Sequence, residues 1–164
     1  MIELRELKND DRDLLVRYLN NEQVVRYLSS KIPQPYTFED ATWWTDFGSK
    51  EGAVVKAIVA DDVLCGVIGA YKQDFEYSHA VELGYWLAQD FWNQGIATKA
   101  VTEFTDWLFS TSDIQRIYNP VSAPNIASIK VMEKAGYTLE GVLRRSIRQH
   151  GYFYDEHLFA KVRA

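Results

Sequence analysis

Hydrophobic positions along this chain recur with two periods, and the switches between them mark its elements. From residue 80 to residue 87 they alternate, so Val81, Leu83, Tyr85 and Leu87 share one face of a strand while Glu82, Gly84 and Trp86 share the other. After Gly95 the spacing becomes helical and puts Ala97, Ala100, Val101, Phe104 and Leu108 on one side. Leu14, Leu15, Tyr18 and Leu19 make a similar stripe behind Asn9 or Asp10 as the helix opener. A second N-terminal helix is predicted through Trp43, Trp44 and Phe47, with Thr37 as N-cap and Asp40 completing the box. Pro33 and Pro35 in the linker at 31–36 keep these helices apart.

Further strands are expected at 2–7, 53–60, 63–71, 115–121, 137–147 and 152–162, with hairpin turns at Asp61-Asp62 and His150-Gly151. Pro124 and Asn125 open a last helix that Gly136 closes as a left-handed cap. The order β-α-α-β-β-β-α-β-α-β-β gives an α/β domain whose mixed sheet is covered on both faces. Three successive strands argue against a simple doubly wound nucleotide fold. With 164 residues and 47% hydrophobic content, residues 1–164 are expected to form a single domain around one substantial core.

Charge and cysteine usage narrow the function. A net charge of -5 with no basic tract argues against nucleic acid or an anionic membrane as partner and favours a cationic or neutral substrate. Cys65 is the only cysteine, which excludes an internal disulfide and points to a buried apolar position in a reducing compartment. The charged start Glu3-Leu4-Arg5 is unlike a signal peptide, and no segment reaches membrane-spanning length, so a cytoplasmic protein is expected. His79, His150 and His157 lack metal-ligand spacing, and no metal is expected.

The segment from Tyr85 to Thr98 carries the first chemical signal. A strand runs into a glycine-containing turn that opens a helix, and the first N–H groups of a helix have no intrahelical acceptor. Such a turn holds a phosphate at the positive end of the helix dipole, or is simply a tight connection. Gly95 lets a ligand approach the main chain because no Cβ intervenes.

Ala80-Val81-Glu82-Leu83-Gly84-Tyr85-Trp86-Leu87 with Gly95-Ile96-Ala97, followed by Asn125-Ile126-Ala127-Ser128 through Ala135-Gly136-Tyr137, resembles the GCN5-related N-acetyltransferases (GNAT). Within them the chain is similar to the ribosomal-protein alanine acetyltransferase-like branch (RimJ/RimL type). The resemblance implies a mixed, mostly antiparallel sheet in which two strands splay to form an acetyl-CoA cleft. It implies that the backbone at Trp86 and Leu87 pairs with pantetheine and that the turn of Asn93, Gln94, Gly95, Ile96, Ala97 and Thr98 holds the pyrophosphate. Asn125 is expected to cap the last helix, and the resemblance implies that it also contacts the cofactor or an ordered water.

Two positions depart from the family pattern. Trp92 stands where Gln or Arg is usual three residues before the glycine, and Met132 stands where many relatives place a tyrosine that protonates the departing thiolate. Methionine has no proton to give. Ser128, three residues after Asn125, is the substitute the branch suggests, although serine there is also an ordinary helix-start residue. Amide formation needs a neutral amine, and Glu82 is the carboxylate placed to collect its proton, directly or through water. A structural ion pair or solvated strand glutamate is the alternative for Glu82.

The expected activity is therefore direct acetyl transfer from acetyl-CoA to a primary amine, foremost a protein or peptide N-terminal α-amine. Alternatives are a small-amine acetyltransferase, a noncatalytic acyl-CoA sensor, for which Met132 is the main support, and a nucleotide-binding module, which lacks its glycine fingerprints. Trp43 or Trp44 could line the acceptor groove, although core packing is the simpler reading of the pair, and Arg144, Arg145 and Arg148 could meet a carboxylate or phosphate, though solvated strand charges explain them equally. Monomer and homodimer are both open.

Overall fold

The alternating segments assemble into one seven-stranded sheet in the order β1-β2-β3-β4-β5-β7-β6. The computed structural model describes residues 1–164. The strands are β1 (Ile2–Arg5), β2 (Ala53–Ala60), β3 (Val63–Lys72), β4 (Ala80–Leu87), β5 (Arg116–Ser122), β6 (Thr138–Gln149) and β7 (Tyr152–Val162). Every neighbouring pair is antiparallel except β4 and β5. The helices are α1 (Arg12–Leu19), α2 (Glu22–Val25), α3 (Phe38–Asp46), α4 (Ile96–Thr111) and α5 (Ile126–Lys134).

Both faces of the sheet are covered because its central strands are apolar on both sides. Leu64 to Ala70 of β3 are all buried. On one face α4 and α5 pack Ala100, Val101, Phe104 and Met132 against Ile68, Leu83, Ile117 and Phe159. On the other, α1 to α3 pack Leu15, Leu19, Val24 and Ala41 against Ala57, Val59 and Val67. Fully burying one such side chain stabilises the fold by roughly 1.5–3 kcal/mol.

Local chemistry sets the ends of the elements. Thr37 Oγ1 accepts the Asp40 N–H at 3.1 Å while the Asp40 carboxylate accepts the Thr37 N–H at 2.8 Å, so α3 begins with the expected capping box. Asp61 and Asp62 both take positive φ in the β2–β3 turn. Gly136 ends α5 at φ 83°. The expected first helix instead opens as a 3₁₀ turn at Asn9–Asp11. Its Asp11 carboxylate takes the Lys8 N–H at 2.7 Å and a bidentate pair from Arg5 at 2.8 and 2.9 Å, which also ends the first strand at Arg5 rather than residue 7. The four-residue α2, capped by Asn21, was not expected, since so short a helix offers no periodicity.

Candidate active site

The one parallel contact in the sheet is also where it opens. β4 and β5 pair only at Ala80↔Arg116, Val81↔Ile117 and Glu82↔Tyr118, after which β4 runs on to Leu87 and β5 to Ser122 without touching. Beyond that fork lies a cleft of about 660 Å³ bounded by the end of β4, the start of α4, the start of α5 and the segment after Asn21. Ala88 N–H donates to the Cys65 carbonyl at 2.8 Å, so the antiparallel alternation turns the main chain of Trp86 toward β3 and those of Tyr85 and Leu87 toward the gap. Strand-like pairing with a ligand in the gap thus falls to Tyr85 and Leu87, while Trp86 lines the cleft without offering it a free main-chain edge. The Leu87 carbonyl is already engaged by the Trp92 indole N–H at 3.0 Å.

The turn into α4 presents uncapped amides. Gly95 is the N-cap at φ 75°, Asn93 before it has φ 61°, and no side chain caps this helix, whereas Thr37 and Asn125 cap α3 and α5. Asn93, Gly95, Ile96, Ala97 and Thr98 all line the cleft. Gln94 does not: its side-chain amide donates to the Asp90 carbonyl at 3.1 Å. A Cβ on Gly95 would meet no protein atom within 4 Å, so the glycine answers to its left-handed φ and to the open cleft, not to packing.

The opposite wall comes from α5. Asn125 Oδ1 accepts the Ser128 N–H at 3.3 Å, and the Ser128 hydroxyl lies 2.6 Å from the Tyr85 hydroxyl across the fork. Burial pushes the Tyr85 phenol up to about 12, with the Ser128 bond opposing the shift. Met132 points away from the cleft into the core, where Asn119 Nδ2 lies 3.6 Å from its sulfur. Arg26, Lys130 and Lys134 complete the lining, and no Asp or Glu is part of it. In a chain of net charge -5, a cleft with three cations and no carboxylate suits an anionic ligand.

Glu82 lies on the other face of β4, at the last residue paired before the fork. It is half-buried, and none of the four ion pairs in the molecule involves it. Burial raises its pKa, the nearby Glu156 carboxylate raises it further, and Lys31 acts against both. Glu82 shares its face of β4 with Trp86 but is not itself part of the cleft lining, and Ser128 comes from α5 on the other face of the sheet, so the two approach the fork from opposite sides.

These features match a known family. Residues 2–138 match the family model described as the acetyltransferase (GNAT) domain. The chain belongs to the GNAT acetyltransferases. It is similar to an uncharacterized N-acetyltransferase, p20, of Bacillus licheniformis, at 27% identity over 164 residues covering 96% of this chain and 90% of that one. It is also similar to the L-amino acid N-acetyltransferase AaaT of Escherichia coli, 23% identical over 90% of each chain. The solved structure of RimL, a ribosomal L7/L12 α-N-protein acetyltransferase in complex with coenzyme A, shares the fold. It has a TM-score of 0.85 and 20% identity, with 98% of this chain and 93% of that chain covered. This GNAT protein is an acetyl-CoA-dependent N-acetyltransferase, with acetyl-CoA as cosubstrate.

The cleft fits that cosubstrate: open amides at α4 and the cations of α5 suit phosphates, and the free edge of β4 suits an amide-bearing arm. Sequence reasoning missed Tyr85, read as one more member of an apolar strand face, and Lys130 and Lys134, whose i, i+4 spacing on α5 was a legible signal. It also missed Val24, Arg26 and Tyr27, which line the cleft beyond α2's start. Trp43 is exposed, Trp44 packs partly against the α1–α3 core, and neither lines the cleft. No group of three or more His, Cys, Asp or Glu side chains could hold a metal ion, and no helix is long and apolar enough to cross a membrane.

Proposed function

We propose that this enzyme acetylates the free N-terminal α-amine of a protein or peptide, with Glu82 as the proton acceptor. The observation that carries the reading is Glu82 itself: a half-buried, unpaired carboxylate with a raised pKa at the fork, on the face of the sheet opposite Ser128 and α5. The amine enters from that face, loses its proton to Glu82 or an intervening water, and attacks the thioester carbonyl. The Leu87 N–H, turned toward the gap, is the donor for the developing oxyanion. Ser128 meets the departing sulfur from α5, Asn125 holds the start of that helix, and Asn93, Gly95, Ile96, Ala97 and Thr98 hold the pyrophosphate with Arg26, Lys130 and Lys134 nearby. Attack is direct, with no acyl-enzyme.

Physical chemistry supports the α-amine. It titrates near ~7.7 to 8.0 against ~10.4 for lysine, so at neutral pH it is neutral ~10²-fold more often and asks less of Glu82. RimL, named for an α-N-protein substrate, shares the fold. The amino-acid substrate in the name of AaaT favours a second reading, a small amine bearing its own α-amino group. One domain suffices for this chemistry, and the single buried cysteine supports a reducing, cytoplasmic setting. Thiol release from acetyl-CoA over a panel of N-terminally free peptides, N-blocked lysine peptides, amino acids and polyamines tests the proposal. Turnover is expected first with free N-terminal peptides, and turnover with polyamines alone would reject it.

A further inference from the structure

A tyrosine meets the reaction site after all, from β4 instead of α5. Tyr85 lines the cleft, and its hydroxyl sits 2.6 Å from that of Ser128. Met132, at the helical position that faces the core, leaves Ser128 as the hydroxyl of α5 in the cleft lining. A serine hydroxyl rotates freely and places its hydrogen wherever its neighbours dictate. Here the neighbour is a phenol anchored on a strand, and the stronger donor of the two is the phenol.

We propose that Tyr85 is a positioning residue for acetyl transfer: it donates its hydrogen to Ser128 Oγ and so turns the serine's own hydrogen toward the sulfur that leaves. This rests on the reading of the cleft as the acetyl-CoA site. The bond from nitrogen to the acetyl carbon forms, the carbon–sulfur bond breaks with its electron pair on sulfur, and the amine proton passes to Glu82 and on to water. The Ser128 hydrogen bond stabilises the thiolate, which takes its proton from water as CoA departs. Full proton transfer from the pair is unfavourable. With the phenol pushed up to about 12 and an ordinary thiol near ~8.5, a standing tyrosinate is uphill by a factor of ~10³. The pair is a hydrogen-bond donor and not a proton reservoir.

The test joins kinetics to a measurement that needs no turnover. In Tyr85→Phe only the hydroxyl is lost, and kcat should fall about 10-fold while KM for acetyl-CoA stays within about 2-fold. The pH dependence of CoA binding, followed by calorimetry, reports the pKa of the bound thiol. Tyr85→Phe and Ser128→Ala should each raise it by at least ~0.5 units, because both remove support from the thiolate. The double variant should be no worse than Ser128→Ala alone, since Tyr85 acts through Ser128. A bound-thiol pKa and kcat unchanged in folded Tyr85→Phe would overturn the proposal, as would fully additive losses. Wild-type protein that fails to bind CoA would overturn the cleft reading itself, an outcome distinct from either.

Discussion

The Trp92 indole N–H donates to the Leu87 carbonyl at 3.0 Å, closing the last main-chain acceptor of β4 that faces the fork. This tryptophan replaces the side chain that the family pattern puts three residues before the glycine. It holds the short 3₁₀ turn at Gln89–Phe91 back on the strand and so sets where the α4 turn begins. Trp92→Phe keeps the ring and loses the bond. It should lower Tm by about 2–4 °C, the shift of ~1 kcal/mol in a domain of this size, and weaken CoA binding about 3-fold. Thermal melts and calorimetry on one preparation read both, and unchanged values would show that the bond contributes nothing.

Gly95 separates backbone strain from ligand space. Its φ of 75° makes a β-branched residue costly, by roughly 1–2 kcal/mol, while asparagine tolerates that region. Gly95→Val should therefore lose stability and at least ~10-fold in CoA affinity, about 1.4 kcal/mol. Gly95→Asn should keep most of the stability and still lose affinity, because its side chain enters a space that no protein atom fills. Retention of wild-type CoA affinity in Gly95→Asn would remove this turn from the pyrophosphate site.

Glu82 links activity and stability with opposite signs. Its folded pKa is raised, by burial first and Glu156 second, so between its unfolded pKa and that raised value the folded state holds more protons. Stability from this group is complete below the unfolded pKa and lost as pH rises through the folded one. Glu82→Gln should cut kcat about 10²-fold, leave CoA affinity unchanged and raise Tm at neutral pH, with the Tm gain vanishing below pH ~4. Glu156→Gln should move the acidic limb of the pH–rate profile to lower pH without abolishing turnover. A limb that stays in place would show that another group sets it.

Lys130 and Lys134 stand one helical turn apart on the cleft wall. If they serve the phosphates, replacing both with alanine should weaken CoA binding about 10-fold at low ionic strength and much less at high salt, where their charge is screened. Equal losses at both would assign them a packing role.

The fold was legible because its signals are periodic. Strict alternation from Val81 to Leu87, the apolar stripe of α4 and the Thr37 and Asn125 caps each stand where the pattern put them. The α4 turn was legible too, since a glycine between strand and helix is a local signal. What stayed hidden depends on the third dimension. The Tyr85–Ser128 bond joins residues 43 apart in sequence. The direction of each main-chain edge of β4 depends on its register with β3, which exchanged Trp86 for Tyr85 as the partner of Leu87 facing the gap. Likewise, alternation put Glu82 on its own face, but only the parallel pairing with Tyr118 shows that this face lies at the mouth of the fork.

The most direct measurement is the position of the acetyl group. A peptide carrying both a free N-terminus and an internal lysine is incubated with the enzyme and acetyl-CoA, and the modified nitrogen is mapped by fragmentation mass spectrometry. Acetylation at the N-terminal nitrogen, slowed about 10²-fold in Glu82→Gln, is the expected result. Acetylation confined to lysine Nε, or N-terminal acetylation that proceeds at the same rate without the Glu82 carboxylate, would contradict it.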